Sequence, residues 1–283
     1  MFKRARQAYS YSKFLIKKRL FPERISDMIL VSKGLIDTQW LYKLKTANYT
    51  ESELWGKPVR ITDSFWYLHS LNEIFVEEVY KFRAENDTPY ILDCGSNIGL
   101  SVIYFKTLYP KARIVAFEPD NQIHGLLQSN VSSFALNDVV LENKAIWTKN
   151  AVLEFASNGA LGGRINENDD ISNVNRPTIK VTAVRLADYL TKQVDFLKID
   201  IEGPEVDVLK DCADLLGNVK NLFVEYHSSP SKEQELDVLL TILKKAQFKV
   251  YIKEAWNNLP HPFLRRDYDP FYDLQLNIFA YRP

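Results

Sequence analysis

The segment Tyr90-Ile-Leu-Asp-Cys-Gly-Ser-Asn-Ile-Gly-Leu-Ser101 reads as a buried strand from Tyr90 to Asp93, a glycine turn at Gly95 and Gly99, and a helix start. A ligand set against such a turn meets bare backbone, the unpaired N–H groups of a helix N-terminus and the positive end of its dipole. A second apolar strand, Ile114-Val-Ala-Phe-Glu-Pro119, stops at an acid. Glu118 lies 23 positions beyond Gly95, close to the spacing of roughly 20 at which dinucleotide folds place an acid on a ribose diol. Together the two segments predict an open parallel sheet that binds a nucleoside at its carboxyl edge.

Outward from this centre, strand and helix patterns alternate. Strands are expected at 90–94, 112–118, 139–146, 194–200, 219–226, 247–253 and 274–281. Helices are expected at about 99–109, 121–134, 204–216 and 232–246, the signature of a doubly wound α/β sheet. The third-to-fourth connection differs: an inserted strand pair (151–156 and 178–184), a short helix (186–191) and a loop over 157–177 rich in Gly, Asn and Asp fill about 151–190. The last two strands have only Glu254 to Asp273 between them, with little helical periodicity, so an antiparallel hairpin at the sheet edge is expected. Residues 1–88 read as a mostly helical extension or cap, with a short strand near Gly56–Thr62 and helical spacing from Asn72 to Phe82. Residues 89–283 read as the main domain.

The 283 residues, 46% apolar and 25% charged, suit one large globular domain or one with an appendage. Lys+Arg and Asp+Glu stand at 36 each, so net charge gives no argument for a nucleic-acid partner. Cys94 falls in the glycine turn and Cys212 in an expected helix, which fits a reducing compartment rather than a disulfide scaffold. No apolar run reaches the roughly 18 residues needed to span a bilayer, and no signal-peptide block follows the start, so a cytoplasmic location is expected. Lys3, Arg4, Arg6, Lys13, Lys17, Lys18 and Arg19 interleave with aromatic and aliphatic residues near the start. As a solvated helix face this segment caps the domain; as an amphipathic surface segment it gives peripheral contact at the inner face of the membrane.

Four segments, Asp93-Cys-Gly-Ser-Asn-Ile-Gly99, Phe117-Glu-Pro119, Asn143-Lys-Ala145 and Asp195-Phe-Leu-Lys-Ile-Asp-Ile-Glu-Gly203, resemble the FkbM family of methyltransferases over about residues 60–280. The last block, followed by Pro204-Glu205, is the specific one, since many methyltransferases share the first. Cys94, Ser96 and Pro204 depart from the commoner residues, without removing a charged group. The resemblance implies a Rossmann-like class I sheet with an antiparallel end, S-adenosyl-L-methionine as cofactor, and O-methylation of a small-molecule or glycan acceptor. Relatives methylate hydroxyls of macrolides and of sugars, including those of glycolipids and cell-surface polysaccharides.

With that cofactor each motif has a role. Gly95 and Gly99 admit its methionine portion against the backbone. Asp93 holds its ammonium, while Asn97 and Ser101, with Ser96 in the same turn, serve its carboxylate or the helix start. Glu118 accepts from both ribose hydroxyls, Pro119 fixes the chain after it, and Asn143, Ala145 and Ile146 flank the adenine. Without a ligand, Gly95 and Gly99 would be a tight turn and Glu118 a solvated strand end.

For the chemistry, Lys198, Asp200 and Glu202 point to one side if their strand continues that far. Lys198 pairs with an acid or acts in catalysis. Asp200 lies beside the expected reactive group and Glu202 near a helix start. Glu225 and His227 end the neighbouring strand on one side, and His227 leads as base with Asp200 or Glu202 as partner, unless it is an ordinary surface histidine. No metal is expected as the first reading; the alternative is a divalent cation on Asp200, Glu202 and His227. Trp147, Trp256, Tyr226 and Tyr251 are candidates to stack on a sugar, and Arg164, Arg265 and Arg266 to bind an anion. Two other functions share the glycine turn and acid: a nicotinamide-dependent oxidoreductase, which the antiparallel end and the Lys198–Gly203 block oppose, and a silent nucleoside-binding module.

Overall fold

Two strands without a single exposed residue, Tyr90–Cys94 and Val194–Ile199, mark the centre of the main sheet, since only strands covered on both faces can be buried throughout. The computed structural model describes residues 22–156, 164–165, 178–267 and 271–282. The basic segment at 3–19 and the loop at 157–177 therefore lie outside the described residues, apart from the short strand at 164–165. So do the side chains of Arg164, Arg265 and Arg266.

The chain divides into two compact units, Met1–Val79 and Tyr80–Pro283. The first contains helices α1 (Pro22–Ser32), α2 (Thr38–Thr46) and α3 (Ser64–Leu71), and a hairpin of β1 (Glu51–Leu54) and β2 (Lys57–Arg60). Asp37 and Asp63 cap α2 and α3 by accepting from Trp40 N and Trp66 N. The hairpin turn places Trp55 and Gly56 at positive φ, as a two-residue turn between twisted strands requires. The helix expected over 72–82 is only a wide turn, Asn72–Val76, and the left-handed Glu78 (φ 54°) stops it.

The second unit holds β3 (Tyr90–Cys94), α4 (Leu100–Leu108), β4 (Arg113–Phe117), α5 (Asn121–Ser133), β5 (Val139–Glu142), β6 (Ala145–Trp147), β7 (Ala151–Ala156), β8 (Arg164–Ile165), β9 (Thr178–Arg185) and β10 (Val194–Ile199). It continues with α6 (Glu205–Cys212), β11 (Val219–Ser228), α7 (Leu236–Lys245), β12 (Lys249–Trp256) and β13 (Leu274–Tyr281). Seven strands form the main sheet in the order β12-β13-β11-β10-β3-β4-β5. All neighbours from β11 to β5 are parallel, whereas β13 runs antiparallel between β11 and β12. The expected C-terminal hairpin is present, with its last strand inside the sheet and β12 at the edge.

Alternation along the strands sorts the two faces. Phe196, Phe223 and Phe279 meet Tyr80, Phe82 and Phe105 of α4 in an aromatic cluster. Leu197, Ile199, Leu222, Val224 and Ile278 pack with Val208, Leu209, Leu239 and Leu243 of α6 and α7, each buried side chain worth about 2 kcal/mol of transfer free energy. The strand expected over 139–146 is broken in two. Asn143 Nδ2 donates to the carbonyls of Glu118 (2.9 Å) and Pro119 (3.1 Å), and the chain leaves the main sheet there. Its second half, β6, joins a four-stranded sheet β6-β9-β7-β8, so the insertion is a small sheet rather than a strand pair.

Gly95 and Gly99 have φ of 83° and 91°. A Cβ on Gly95 would lie 1.8 Å from the Asp200 carbonyl oxygen, and one on Gly99 would lie 2.6 Å from Leu127 Cδ1. These glycines therefore admit the chain's own β10 end and α5, a packing role in addition to the one expected of them. Gly125 on α5 is exposed, with nothing within 4 Å of its would-be Cβ. Gly95→Ala should cost roughly 2–4 kcal/mol through overpacking and a strained φ, whereas Gly125→Ala should be neutral or stabilise by up to about 1 kcal/mol. Thermal melts of the two variants check this; an undisturbed Gly95→Ala would show that the β3 and β10 ends are not locked together.

Candidate active site

The carboxyl ends of β3, β4, β10 and β11 carry the polar groups, and each is held by neighbours that the apolar strands bring into register. Lys198, only 2% exposed, donates to Gly95 O (2.8 Å) and Asp200 Oδ2 (3.1 Å) and lies 3.7 Å from Asp93 Oδ1. Burial pushes its pKa down, but the Asp200 and Asp93 carboxylates more than reverse this and hold it above the usual lysine value. Lys198 is thus a structural cation. Asp93 is fully buried and accepts from Ser101 Oγ at 2.6 Å, while Ser96 Oγ donates to Asp93 O. Asp93, Ser96 and Ser101 therefore build the turn and do not face a ligand, contrary to expectation.

An open cleft lies at the ends of β3 and β4. Among the expected cofactor residues, Gly95, Asn97, Glu118, Pro119, Ala145, Ile146 and Asp200 line it. Asn143 and Gly99 do not: Asn143 braces the Glu118–Pro119 backbone and Gly99 packs on α5. No residue of α4 lines the cleft either, so a ligand meets the turn rather than the helix end. Phe117, Asp120, Ile123, Lys144, Phe155, Ile201 and Glu202 complete the wall. Phe155 comes from the inserted sheet, to which the sequence analysis gave no part in the cofactor site.

Glu118 is 7% exposed; its Oε2 accepts from Asn97 N and its Oε1 from Asp120 N, both at 3.0 Å. A carboxylate oxygen has two lone pairs, so each keeps one acceptor site for a hydroxyl. Burial lifts its pKa from 4.5 to about 7, against the lowering effect of the Asp120 N–H. Asp120 in turn caps α5 through Gln122 N and Ile123 N.

The second group gathers at the β10 and β11 ends. The β10 strand stops at Ile199, so Glu202 does not reach the site by strand alternation. A left-handed turn, Glu202 φ 64° followed by Gly203 φ 132°, brings it there instead, a strained non-glycine conformation of the kind that clusters at functional sites. Tyr272 Oη lies 2.8 Å from Glu202 Oε2 and 3.2 Å from Glu202 O, and Glu205 Oε1 accepts from Ile201 N (3.2 Å) and Gly203 N (2.9 Å). The same Glu205 oxygen lies 3.0 Å from His227 Nδ1, so that ring nitrogen is the donor. His227 Nε2 lies 3.4 Å from Glu225 Oε1 and 3.6 Å from Glu202 Oε2 without a hydrogen bond to either.

Burial alone would lower the His227 pKa, yet Glu205 and Glu202 hold it well above the usual histidine value. An imidazole so held is a poor proton acceptor, which revises its expected part as the base. Burial pushes Glu202 up to about 8, where a carboxylate is matched to accept a proton near neutral pH. Burial, reinforced by Asp200, also raises Glu225. One oxygen of Asp200, one of Glu202 and a nitrogen of His227 lie within 4.8 Å of one another, a set able to hold a cation. A second cleft is lined by Glu202, Gly203, His227, Ser229, Lys232, Glu233 and Tyr272 among others. Glu202 is the residue common to both clefts.

Sequence reasoning gave no role to Glu205 or Tyr272. Glu205 follows Pro204 at a helix start, a signal that could have flagged it; Tyr272, in the aromatic return between the last strands, carried none. Of the stacking candidates, Tyr226 is buried with its hydroxyl accepting from Glu235 N, and Trp147 packs on the inserted sheet. Tyr251 and Trp256 are exposed on β12.

A parallel sheet with one antiparallel strand threaded near its edge, an acid just past β4 and an acid pair beyond β10 together frame the site. Residues 93–250 match the Methyltransferase FkbM domain, and the chain belongs to that family of methyltransferases. It is similar to Methyltransferase 1 of Beauveria bassiana, 28% identical over 50% of this chain and 66% of that protein. It is also similar to Methyltransferase sdnD of Sordaria araneosa, 26% identical over 59% and 78%. The 2-O-methyltransferase NoeI of Sinorhizobium fredii is 28% identical over 54% of this chain and 69% of that protein. The chain thus spans just under two thirds of the Beauveria protein's length. Among the described residues no helix is long and apolar enough to cross a membrane.

Glu118 makes the stability of the ligand-free protein pH-dependent in a definite direction. Below 4.5 its carboxyl is neutral folded and unfolded; between 4.5 and about 7 the unfolded chain ionises first. Stability relative to Glu118→Gln should therefore fall as pH rises through that window, by at most about 1.4 kcal/mol per pH unit, and level off above it. Denaturant unfolding of both proteins from pH 4.5 to 8 measures the difference; a flat curve would place Glu118 in contact with bulk water.

Proposed function

We propose that this protein is an S-adenosyl-L-methionine-dependent O-methyltransferase acting on a hydroxyl of a sugar, glycan or glycolipid. The observation that carries the reading is Glu202, the wall between the first cleft and a second, polar cleft. The first cleft fits the cofactor: Glu118 retains two acceptor sites for a ribose diol, Ile123, Ile146 and Phe155 offer apolar surface for the adenine, and Asp200 offers a carboxylate for the ammonium. When bound, the cofactor supplies a methyl group on a sulfonium.

The chain's own residues do the rest. Asp200 and Glu202 surround the meeting point of the clefts with negative charge, which favours a cationic reagent there. Tyr272 and Glu205 hold the left-handed turn that aims Glu202, and His227 keeps Glu202 from drifting. Glu202 is the group placed to take the acceptor hydroxyl's proton, because its pKa lies near working pH. The similarity to the 2-O-methyltransferase NoeI supports oxygen as the methylated atom. The buried free thiols of Cys94 and Cys212 support a cytoplasmic location.

S-adenosylhomocysteine should raise the melting temperature, and NAD should leave it unchanged. Glu118→Ala should weaken S-adenosylhomocysteine binding roughly 10–100-fold by removing two charge-assisted hydrogen bonds. Stabilisation by NAD instead, or an unaltered affinity in the variant, would overturn the cofactor assignment. For the acceptor, mass spectrometry of glycans and glycolipids from cells with and without the gene should show methyl groups missing in the latter. Identical spectra would remove the acceptor class.

A further inference from the structure

The geometry points to a divalent cation site formed by Asp200, Glu202 and the Nε2 atom of His227, for a first-row ion such as Mn²⁺ or Zn²⁺. Two independent features lead there. The first is the donor set, whose ligand atoms lie within 4.8 Å of one another. The second is the imidazole: His227 is 6% exposed, and its Nε2 is buried without a hydrogen-bond partner while facing Glu202 and Glu225.

The tautomer is fixed from the other side of the ring. Glu205 Oε1 lies 3.0 Å from Nδ1, and an ionised carboxylate only accepts, so Nδ1 carries the proton. That leaves the Nε2 position pointing into the acid cluster. A direct hydrogen bond between Nε2 and a carboxylate would close to about 2.8 Å. Instead it stands 3.4 Å and 3.6 Å from two of them. Of the two, Glu202 is in the ligand set, and its 3.6 Å from Nε2 is close to what neighbouring ligands of one ion show when each bond is about 2.1 Å; the wider set, within 4.8 Å, closes by small side-chain shifts. A histidine that donates its far N–H to a carboxylate is also the usual second shell of a metal ligand.

Charge leads the same way. Asp93, Asp200, Glu202, Glu205 and Glu225 face Lys198 and His227, and Lys198 is committed to Asp200, Asp93 and Gly95 O. Surplus negative charge at low exposure is costly without a cation. Two carboxylates and one imidazole suit Mn²⁺ or Zn²⁺ better than Ca²⁺, which takes oxygen alone. Glu202 belongs to both clefts, so open coordination positions face an acceptor hydroxyl. On the methyltransferase reading, the ion would lower that hydroxyl's pKa and so ease transfer of its proton to Glu202. The binding of the ion itself does not rest on that reading.

The test is titration of the full chain, stripped with EDTA, with Mn²⁺ followed by electron paramagnetic resonance. The expected result is one saturable site showing coupling to an imidazole nitrogen. Asp200→Asn and His227→Gln should each weaken Mn²⁺ at least tenfold, and His227→Gln should abolish the nitrogen coupling. Glu205→Gln, which only misorients the ring, should weaken it roughly 10–100-fold while retaining some coupling. The wild-type nitrogen coupling stands by itself should the His227 variant not fold. No saturable binding up to millimolar Mn²⁺, binding without nitrogen coupling, or binding indifferent to Asp200→Asn overturns the site. The melting shift with S-adenosylhomocysteine, measured on the same stripped protein, separates the two ideas. A shift without Mn²⁺ binding sinks the ion alone, and Mn²⁺ binding without a shift sinks the cofactor reading alone.

Discussion

The site depends on one buried cation. Lys198 ties the carbonyl of Gly95, at the end of β3, to the Asp200 carboxylate, just past the end of β10. Removing a single partner from such a buried pair costs about 3–5 kcal/mol, because the remaining charge is left without compensation. Gly95 makes the approach sterically feasible, since the Asp200 carbonyl occupies the place of its missing Cβ. A charge and a missing methyl group therefore fix the same distance. Everything that lines the first cleft between Glu118 and Asp200 inherits its position from that lock.

Beyond the lock, the chain spends conformational strain to place one carboxylate. A non-glycine residue at φ 64° costs of order 1–3 kcal/mol. Tyr272 and Glu205 offset it with hydrogen bonds to Glu202 and to the Ile201 and Gly203 amides. Glu205 serves twice, stapling the turn and orienting His227. Backbone geometry and imidazole orientation are thus coupled through one buried carboxylate. Disturbing the turn must also disturb the histidine.

The central strands were legible because burial on both faces leaves short apolar runs, as in Tyr90–Leu92 and Phe196–Leu197. Glu118 was legible for a related reason: an acid closing an apolar strand has few structural excuses. The break at Asn143 was not, because a side chain that hydrogen-bonds two carbonyls of another loop leaves no local pattern. Asp93, Ser96 and Ser101 were misread because a motif position does not say which way a side chain turns. Here Ser96 and Ser101 donate to Asp93, whose other carboxylate oxygen lies 3.7 Å from Lys198. Strand periodicity also carried Glu202 to its site by the wrong route, since it cannot anticipate a left-handed turn. Tyr272 lies far along the chain from the turn it holds, and tertiary contacts of that span leave no mark in composition.

The two clefts differ in what they ask of a ligand. The first has apolar walls and an acid whose carboxylate is lifted by burial, so it suits a flat, partly apolar molecule with hydroxyls to donate. The second is polar, and its His227 is encircled by Glu202, Glu205 and Glu225. Where they meet, negative charge exceeds positive, and both Glu202 and Glu225 have pKa values pushed upward by burial and by mutual repulsion. Such a junction is poorly satisfied by the protein alone, and protonation is only one way to relieve it. A cation relieves it better, because it removes the repulsion without removing the charges that hold the turn. A sulfonium arriving from one side and a metal ion seated beside His227 make the same electrostatic demand, and the acids at the shared wall are positioned to meet both. The strained turn at Glu202 is then the feature that makes a single carboxylate answer to two ligands at once.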